Sequence, residues 1–331
     1  MIEKANVQLR DFNTLKLSSL AEKYFEVKDE EELKKIFSDK ISSSDEFRVL
    51  GGGSNLWLCS NKIANVIKMN NLGTRIKKTK KKTYLFAKAG ENWSKLVEMS
   101  VSNKIGGLEN LIDIPGNVGA APVQNIGAYG TEVGEFIKEI TVFDTKTKEF
   151  KVVQRDECSF KYRDSIFKKN QSVIITEVVF EFDNDYKPEI TNRDILRKLG
   201  EGDNEIKNIL SCVREIRNSK IPNPKSYPNS GSFFKNPIIS KEQLSEIIKI
   251  NKKVVYYEVA NGFKLSAAWL IENAGWKGKL IDGIGMSSIH SLIFVNTSNN
   301  KLIKIDDYIN NLKSDIYRKF RVELEIEPIR W

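Results

Sequence analysis

Residues 114–130 carry no charged side chain, although 29% of the residues in this chain of 331 are charged. The segment reads I-P-G-N-V-G-A-A-P-V-Q-N-I-G-A-Y-G, and its glycines and prolines remove side-chain bulk and fix turns. Such a backbone lets a large ligand lie directly on peptide N–H groups. A loop exposed to water would carry lysine or glutamate, so the composition predicts a ligand-binding segment. The alternative is a tightly packed turn region with unusual backbone angles.

The length and composition are those of an ordinary globular protein and predict about two or three domains. Hydrophobic residues make up 40% of the chain and aromatic residues 10%. No apolar run approaches the roughly 20 residues of a membrane-spanning helix, and the first residues, M-I-E-K-A-N, lack the apolar core of a signal peptide. We therefore expect a soluble protein in the cytoplasm.

The cysteines and the histidine argue against metal-binding and disulfide-bonded classes of protein. Cys59, Cys158 and Cys212 lie far apart, and the sequence has no C-x-x-C pair. His290 is the single histidine. The sequence therefore predicts neither a zinc site nor a disulfide framework.

The net charge of +9 raises the question of a nucleic-acid partner. The clearest basic run, K-K-T-K-K-K at residues 77–82, precedes T-Y-L-F-A-K-A, which alternates like a strand. No aromatic residues are interleaved with the lysines for stacking on bases. We interpret the run as a solvated turn. We expect small-molecule ligands, no nucleic-acid or membrane partner, and a monomeric chain.

Apolar spacing predicts an α+β protein without the regular βαβ alternation of a doubly wound sheet. Predicted helices cover residues 31–37, 93–101, 206–216, 242–250, 266–274 and 305–320, and predicted strands cover 47–50, 63–69, 83–89, 173–182, 254–259, 291–295 and 322–327. A hairpin is predicted over residues 137–153, with Ile140 and Val142 facing Phe150 and Val152. The sequence I-P-N-P-K at residues 221–225 predicts a domain boundary.

A second glycine-rich sequence, G-G-G-S-N, covers Gly51, Gly52, Gly53, Ser54 and Asn55 and follows a predicted apolar strand. A glycine turn in that position can cradle a phosphate. The sequence is neither G-x-x-x-x-G-K-[ST] nor G-x-G-x-x-G with an acidic partner about 20 residues further on. Together with residues 114–130 it predicts two glycine-rich segments that converge on one long ligand. A dinucleotide held outside the Rossmann scheme suits that arrangement.

Two polar residues are candidates for chemistry. Arg163, in Y-R-D-S at residues 162–165, could hold a carboxylate or phosphate with its planar guanidinium, and the alternative is a surface ion pair with Asp164. Ser232 lies in G-S-F-F-K-N-P at residues 231–237. A chain with one histidine is a poor candidate for a hydrolase triad, so a chemical role for Ser232 would be that of a proton donor. The alternative is a turn serine that caps backbone N–H groups.

The sequence V-E-L-E-I-E at residues 322–327 alternates strictly, which would place Glu323, Glu325 and Glu327 on one face of a strand. Such carboxylates are usually solvated. Because a proline follows, Glu327 is predicted to be the last residue of a terminal strand, where a side chain can enter a cleft. His290 precedes S-L-I-F-V, and this position is more typical of a packed or capping histidine than of a catalytic one.

Taken together, these segments resemble the MurB family, the UDP-N-acetylenolpyruvoylglucosamine reductases, and in particular its type I branch. The resemblance covers nearly the whole chain. It is carried by Asn13-Thr14, G-G-G-S-N at 51–55, A-G-E-N-W at 89–93, G-L-E-N-L at 107–111, residues 114–130, Y-R-D-S-I-F-K at 162–168, G-S-F-F-K-N-P at 231–237 and I-E-P at 326–328. Any one motif could be coincidental, but the set in this order is highly specific.

The resemblance implies a two-subdomain FAD-binding fold of the PCMH/VAO type, followed by a C-terminal α+β substrate-binding domain. The subdomains would cover residues 1–70 and 71–220, and the UDP-sugar domain residues 221–331. FAD would be bound non-covalently, with NADPH as co-substrate. The implied cofactor-binding residues are Gly51, Gly52, Gly53, Ser54, Asn55, Pro115, Gly116, Gly119, Ala120, Gln124, Asn125, Gly127, Ala128 and Tyr129.

The implied reaction converts UDP-N-acetylglucosamine enolpyruvate to UDP-N-acetylmuramate, a peptidoglycan precursor, with hydride passing from flavin N5 to C3 of the enolpyruvyl group. Ser232 matches the family position that donates a proton to C2. Arg163 matches the position that stabilises the charge on the substrate carboxylate, and Glu327 matches its acidic partner, in hydrogen-bonded or protonated form. The implied substrate-binding residues are Tyr162, Arg217, Lys220, Asn236 and His290.

The chain departs from the family pattern at T-N-R-D, residues 191–194. Type I relatives offer a tyrosine to the nucleotide at this position, and Asn192 cannot stack as a tyrosine does, although Arg193 could substitute. Near the C-terminus, Glu325 is an alternative to Glu327 as the catalytic glutamate.

Three other classes of protein fit these residues less well. A related flavoprotein with another substrate would not need Arg163, Ser232 and Glu327 together. A non-catalytic FAD- or nucleotide-binding protein would keep the glycine segments and lose those side chains. A nucleic-acid-binding module is disfavoured because the positive charge is diffuse.

Overall fold

The computed structural model describes residues 1–42, 44–200, 204–298 and 305–331. The helices are α1 (Glu30–Asp39), α2 (Trp93–Ser102), α3 (Ile166–Lys169), α4 (Arg193–Leu199), α5 (Ile206–Lys220), α6 (Lys241–Ile250), α7 (Ala267–Asn273) and α8 (Ile305–Phe320). The strands are β1 (Ile2–Gln8), β2 (Leu20–Val27), β3 (Arg48–Leu50), β4 (Leu56–Trp57), β5 (Lys62–Met69), β6 (Thr74–Lys78), β7 (Lys82–Lys88), β8 (Gly127–Ala128), β9 (Thr131–Glu132), β10 (Ile137–Asp144), β11 (Glu149–Gln154), β12 (Val173–Asp183), β13 (Asn229–Ser232), β14 (Ile238–Ile239), β15 (Tyr256–Val259), β16 (Gly262–Leu265), β17 (Leu280–Ile281), β18 (Ile284–Met286), β19 (Ile293–Asn296) and β20 (Ile329–Arg330). Among the described residues, no helix has the length and apolar character needed to cross a membrane.

The chain forms two compact units. The first comprises Met1–Gln8, Leu20–Gly53 and Lys62–Asn218, and the second comprises Leu9–Ser19, Ser54–Asn61 and Ser219–Trp331. Two short N-terminal segments thus belong to the same unit as the C-terminal third of the chain.

The first unit contains a four-stranded sheet in the order β1-β2-β5-β3, in which β2 and β3 both run parallel to β5. The carboxylate of Asp29 begins α1, because it accepts a hydrogen bond from the Glu32 N–H at 2.8 Å. The buried stripe of α1 packs with apolar residues of the sheet; this cluster includes Leu33, Ile36, Phe37, Phe25, Val27 and Ile67. This apolar cluster therefore supports β3 and β5. Ligands of parallel sheets commonly bind at the carboxyl ends of such strands.

The same unit contains a five-stranded antiparallel sheet in the order β11-β10-β12-β7-β6. Leu96 of α2 and Val213 of α5 are buried in the core of this part of the molecule. Val118 and Ile126, from the uncharged segment, belong to the same core. The apolar side chains of segment 114–130 therefore anchor it in the core, while its glycines allow tight turns.

The hairpin predicted over residues 137–153 is present as β10 and β11, but its predicted register is wrong by one residue. Val152 pairs with Thr141 rather than with Ile140, and it is exposed. The turn causes the shift. Asp144 pairs with Glu149 as the last pair of the hairpin, and the Asp144 carboxylate accepts hydrogen bonds from the N–H groups two and three residues ahead. Turn chemistry, and not the apolar pattern, sets this register.

The second unit contains a four-stranded antiparallel sheet in the order β13-β19-β18-β17. Phe233 and Phe294 pack with their ring centroids 4.8 Å apart, and Tyr308 of α8 adds an edge-on contact with Phe294 at 5.6 Å. A three-stranded sheet, β14-β16-β15, and a parallel pair, β4 with β20, belong to the same unit. The aromatic cluster holds the end of β13, and with it Ser232, on a rigid base.

The strand predicted over residues 322–327 does not form. The segment joins the backbone of Phe234 through a single bridge at Ile326, and the terminal strand is β20, which begins after Pro328. The alternation of exposed glutamates with buried apolar residues ends at Glu325, because Glu325 is exposed whereas Glu327 is buried. The three glutamates therefore do not share one face, and Glu327 precedes the terminal strand instead of ending it.

Candidate active site

The predicted site residues are divided between the two units. The first unit holds Gly51, Gly52, Gly53, Pro115, Gly116, Gly119, Ala120, Gln124, Asn125, Gly127, Ala128, Tyr129, Tyr162, Arg163 and Arg217, and the second holds Ser54, Asn55, Lys220, Ser232, Asn236, His290 and Glu327.

The two glycine-rich segments that were predicted to converge do so within the first unit. The turn at residues 51–53 follows β3 and lies against the turn at residues 116–120. A Cβ placed on Gly52 would lie 2.9 Å from the Cα of Gly116. Gly53 has a φ of +66°, a left-handed conformation that glycine adopts without steric cost. A side chain at Gly52 would push the two turns apart, so their close approach requires glycine.

The packed-turn alternative explains part of the uncharged segment. The Gly119 N–H donates to the Ala89 carbonyl at 2.9 Å, and a Cβ on Gly119 would lie 2.6 Å from the Cβ of Ala89. Asn125 is buried, and its amide donates to the Glu132 carboxylate at 2.7 Å. Gly119 and the Asn125 side chain thus have structural roles in addition to any role toward a ligand.

Arg163 is held against the glycine-rich segment by a tight turn. Lys161 and Asp164 pair as an isolated bridge, so Tyr162 and Arg163 are the central residues of that turn. Arg163 has a φ of +53°, a left-handed conformation that costs a non-glycine residue about 1–2 kcal/mol. Its Nη2 donates to the Gly127 carbonyl at 2.6 Å, and its guanidinium lies 5.1 Å from the centre of the Tyr162 ring. The turn therefore fixes a cation at the backbone of residues 114–130.

Arg217, on α5, is a second cation near this segment. Its Nη2 donates to the Asp113 carbonyl at 3.1 Å, whereas its Nε is buried with no hydrogen-bond partner among the described residues. Burial lowers the pKa of Arg217, and the nearby Tyr129 and Asp113 oppose that shift. The Asp113 carboxylate is itself bound by Arg214, whose Nε donates to it at 2.8 Å. A buried guanidinium with an unused N–H would be satisfied by an anionic ligand.

These features fit the FAD that the resemblance implies. Glycine turns can offer backbone N–H groups to a pyrophosphate. The uncharged wall of residues 114–130 suits a flat aromatic ring. Burial raises the pKa of Tyr129, and the charge of Arg217 opposes that shift. The donor set is therefore suited to an anionic, aromatic dinucleotide.

In the second unit, backbone pairing brings Ser232 and Glu327 to adjacent segments. Ser232 ends β13 and is half-buried. The carbonyl of Phe233, the next residue, accepts a hydrogen bond from the Glu327 N–H at 3.0 Å. The amide of Asn55 approaches the Glu327 carbonyl at 3.5 Å. Neighbouring stretches of backbone thus position the Ser232 hydroxyl, the Asn55 amide and Glu327, a residue that is 9% exposed.

Glu325, the alternative glutamate, is placed differently. Its side chain is 70% exposed and forms an ion pair with Lys235. The Lys235 N–H also donates to the Glu325 carbonyl at 2.9 Å. Of the two glutamates, only Glu327 is buried and bonded to the residue that follows Ser232.

Lys220 and His290 are electrostatic neighbours in the second unit. The pKa of His290 is lowered by burial, and the charges of Lys220 and Lys277 lower it further. Its Nδ1 accepts the Leu292 N–H at 3.2 Å, which is the capping contact expected of a histidine at a strand entrance. The neutral ring then carries its proton on Nε2. An N–H donor next to an ammonium suits a phosphate group.

Two asparagines from the sequence analysis cap helices. The Oδ1 of Asn236 accepts the Ala267 N–H at 2.9 Å where α7 begins. The Oδ1 of Asn192 accepts the Asp194 N–H at 3.0 Å and so begins α4. The N-cap role gives a physical reason for asparagine at residue 192.

Two residues near the glycine turn were missed by the sequence analysis. Lys68, in β5, donates to the carbonyl of Gly51. The amide of Asn117 donates to the Gly90 carbonyl, and its Oδ1 lies 3.2 Å from the point that a Cβ on Gly52 would occupy. The sequence does contain an indication for Lys68, because a lysine near the end of a largely apolar, buried parallel strand is unusual.

The cysteines are free thiols in the structure, with Cys59 exposed and Cys158 and Cys212 buried. Burial raises the pKa of Cys158 to about 12. Within the described ranges, no group of three or more metal-ligating side chains is present.

Comparisons with known proteins identify both parts of the chain. Residues 21–152 match the family described as FAD binding domain, and residues 223–331 match the family described as UDP-N-acetylenolpyruvoylglucosamine reductase, C-terminal domain. The fold is similar to the crystal structure of the UDP-N-acetylenolpyruvylglucosamine reductase of Thermus caldophilus, with a TM-score of 0.69 at 23% identity over 100% of both chains. The predicted arrangement, an FAD-binding fold followed by a C-terminal α+β domain, is confirmed.

Two relatives match the chain over nearly its whole length. The UDP-N-acetylenolpyruvoylglucosamine reductase of Bdellovibrio bacteriovorus is 38% identical over 329 residues, which are 98% of each chain. The reductase of the same name from Flavobacterium johnsoniae is 36% identical over 332 residues, again 98% of each chain. The chain therefore belongs to the UDP-N-acetylenolpyruvoylglucosamine reductase family.

Proposed function

We propose that this protein reduces UDP-N-acetylglucosamine enolpyruvate to UDP-N-acetylmuramate in peptidoglycan precursor synthesis, with bound FAD and with NADPH as the electron donor. The names of its relatives support this substrate. The observation that carries the proposal is the placement of Ser232 and Glu327 on adjacent segments of backbone, since the Glu327 N–H binds the carbonyl of Phe233, the residue after Ser232, at 3.0 Å. A proton donor and a carboxylate on adjacent backbone are what the second half of this reaction needs.

When bound, FAD would supply the hydride chemistry that links NADPH to the enolpyruvyl group, with C3 as the acceptor carbon. Ser232 then donates its hydroxyl proton to C2. A serine hydroxyl is a weak acid in water but an adequate one toward a strongly basic carbanion. The β13 backbone and the aromatic cluster beneath it hold the hydroxyl in position.

Arg163 stabilises the negative charge that gathers on the substrate carboxylate when C2 becomes a carbanion. Its left-handed backbone and its bond to the Gly127 carbonyl support this role, because a preorganised cation needs no rearrangement as the charge develops. Glu327 acts on the same carboxylate as its acidic partner. Its burial supports that role, because a hydrogen bond in a partly dry site is stronger than one in water.

Lys220 and His290 bind the diphosphate of the sugar nucleotide in this proposal, and Tyr162, Arg217 and Asn236 complete the substrate-binding set. We also propose domain limits at residues 70 and 220, a monomeric state and a cytoplasmic location. The proposal includes no nucleic-acid partner and no membrane partner.

An anaerobic visible spectrum of the purified protein tests the proposal. We expect a flavin band that bleaches on addition of NADPH and returns only when UDP-N-acetylglucosamine enolpyruvate is added. A flavin that bleaches and is not reoxidised by that compound would point to a related flavoprotein with another substrate. A protein that shows no flavin band even after FAD is added would contradict the proposed cofactor site.

Replacing Arg163 with lysine is expected to lower the rate of reoxidation by the substrate about 10-fold to 100-fold, because lysine keeps the charge and loses one of two parallel hydrogen bonds. Reduction by NADPH should be unchanged. Stopped-flow absorbance of the flavin measures both rates. Arg155→Lys, at an exposed arginine in the same unit, is the matched control and should leave both rates at the wild-type value. Full activity of Arg163→Lys would show that no paired contact is needed there.

A further inference from the structure

Lys68 lies directly beside the glycine turn at residues 51–53. It is the second-to-last residue of β5, and in register it pairs with Leu50 of β3 on one side and Glu26 of β2 on the other. Its ammonium donates to the Gly51 carbonyl. Lys68 thus lies at the carboxyl ends of the parallel strands and also contacts the glycine turn.

The charge of Lys68 is poorly compensated by the protein. The side chain is half-buried, and among the residues that the structure describes it forms no ion pair with a carboxylate. The Glu26 carboxylate acts on it only at longer range and accepts a hydrogen bond from the Asn70 amide at 2.7 Å. Partly buried cations in proteins are usually paired with an anion, because desolvation of an isolated charge is costly. The missing anion is therefore expected to come from outside the protein.

We infer that Lys68 provides the positive charge that pairs with the pyrophosphate of the dinucleotide at the glycine turn, an inference that rests on the proposed binding of FAD. The turn offers backbone N–H groups, which carry only partial charge, and Gly52 in it is exposed. A lysine ammonium held next to that turn adds a full charge, and its bond to the Gly51 carbonyl fixes where that charge is. Lys68 is a binding residue for the cofactor and takes no part in the chemistry.

The competing explanation is that Lys68 only supports the turn. In that case its contribution to FAD binding would come from the Gly51 hydrogen bond and would hardly depend on salt. A contribution from charge would weaken as salt screens the pyrophosphate. Ionic strength therefore separates the two explanations.

The experiment is a titration of FAD into the full-length chain freed of bound flavin, followed by flavin fluorescence at low and high potassium chloride. Lys68→Gln removes the charge and keeps an amide donor, and Lys68→Arg keeps the charge. Lys62→Gln is the matched control, since Lys62 lies on the same strand, is exposed and pairs with Glu22. Circular dichroism of each variant checks that it is folded.

We expect Lys68→Gln to raise the Kd for FAD about 10-fold to 100-fold at low salt and by a clearly smaller factor at high salt. Lys68→Arg should restore most of the affinity, and Lys62→Gln should bind like the wild type. A Kd within twofold of wild type in Lys68→Gln, or a loss that is the same at both salt concentrations, would overturn the inference. If Lys68→Gln fails to fold, the wild-type chain alone tests the inference. A wild-type Kd for FAD that does not change with salt concentration would then overturn it. Failure of the wild-type chain to bind FAD would instead count against the proposed function.

Discussion

Replacing Ser232 with alanine is expected to slow the second half-reaction about 10²-fold to 10⁴-fold while leaving the reduction of the flavin by NADPH at its wild-type rate. The variant keeps the backbone of β13 and its pairing with Ile293, so the site should retain its shape. It lacks the hydroxyl that would protonate C2, and water must then supply the proton without being held in place. Stopped-flow absorbance under anaerobic conditions, with NADPH first and the enolpyruvyl sugar nucleotide second, separates the two rates.

Ser230 provides a matched control within the same strand. Its hydroxyl is buried and has no hydrogen-bond partner among the described residues. Ser230→Ala removes a buried polar atom without leaving another group unpaired, so both rates should stay at the wild-type value and the free energy of unfolding should not fall. If Ser232→Ala is reoxidised as fast as the wild type, the proton comes from another group and the role of Ser232 is wrong.

The convergence of the two glycine-rich segments could be predicted because it depends on composition. An uncharged, glycine-rich stretch is either packed closely or laid against a ligand, and the turns at residues 51–53 and 116–120 show close packing at Gly52. The longer helices were also predictable. The stripe of α5, which includes Ile209, Val213 and Ile216, is an apolar pattern of helical period that has to be buried.

The hairpin register and the terminal strand could not be predicted, since each depends on contacts beyond the apolar pattern. The side chain of Asp144 decides where the β10–β11 turn closes. At residues 322–327 the alternation of side chains was visible, but a strand also needs a neighbour along its whole length, and here one bridge at Ile326 is formed. The alternation of side chains in a sequence does not show whether a strand finds a partner.

The contacts of the candidate site residues could not be predicted from local sequence, because they join residues that are far apart in the chain. No spacing rule places the Arg163 guanidinium on the carbonyl of Gly127, a residue 36 positions earlier in the chain. The left-handed backbone of Arg163 also has no sequence signal, because an arginine is an unusual residue for that conformation. The resemblance to a family named these residues, and the fold supplies the contacts that explain how they are held.

Glu327→Gln is expected to lower the rate of reoxidation by the sugar nucleotide about 10²-fold to 10³-fold, because glutamine keeps the size of the side chain but can neither carry a negative charge nor act as an acid. The Glu327 N–H bond to the Phe233 carbonyl involves only backbone and should survive the change. The position of Ser232 is therefore expected to be preserved, and the FAD spectrum and the rate of reduction by NADPH should match those of the wild type. The same stopped-flow experiment measures the effect.

Glu325→Gln is the control that decides between the two glutamates. The Glu325 side chain is 70% exposed and that of its partner Lys235 is 12% exposed, and an ion pair whose carboxylate is exposed to water contributes about 1 kcal/mol or less to stability. We expect Glu325→Gln to be reoxidised within about twofold of the wild-type rate, since loss of so weak a pair should barely move the neighbouring backbone. If Glu325→Gln abolishes turnover and Glu327→Gln does not, the catalytic carboxylate lies two residues earlier. A large loss in both variants, together with a similar loss in Lys235→Met, would show that the ion pair between Glu325 and Lys235 positions the segment that carries Glu327.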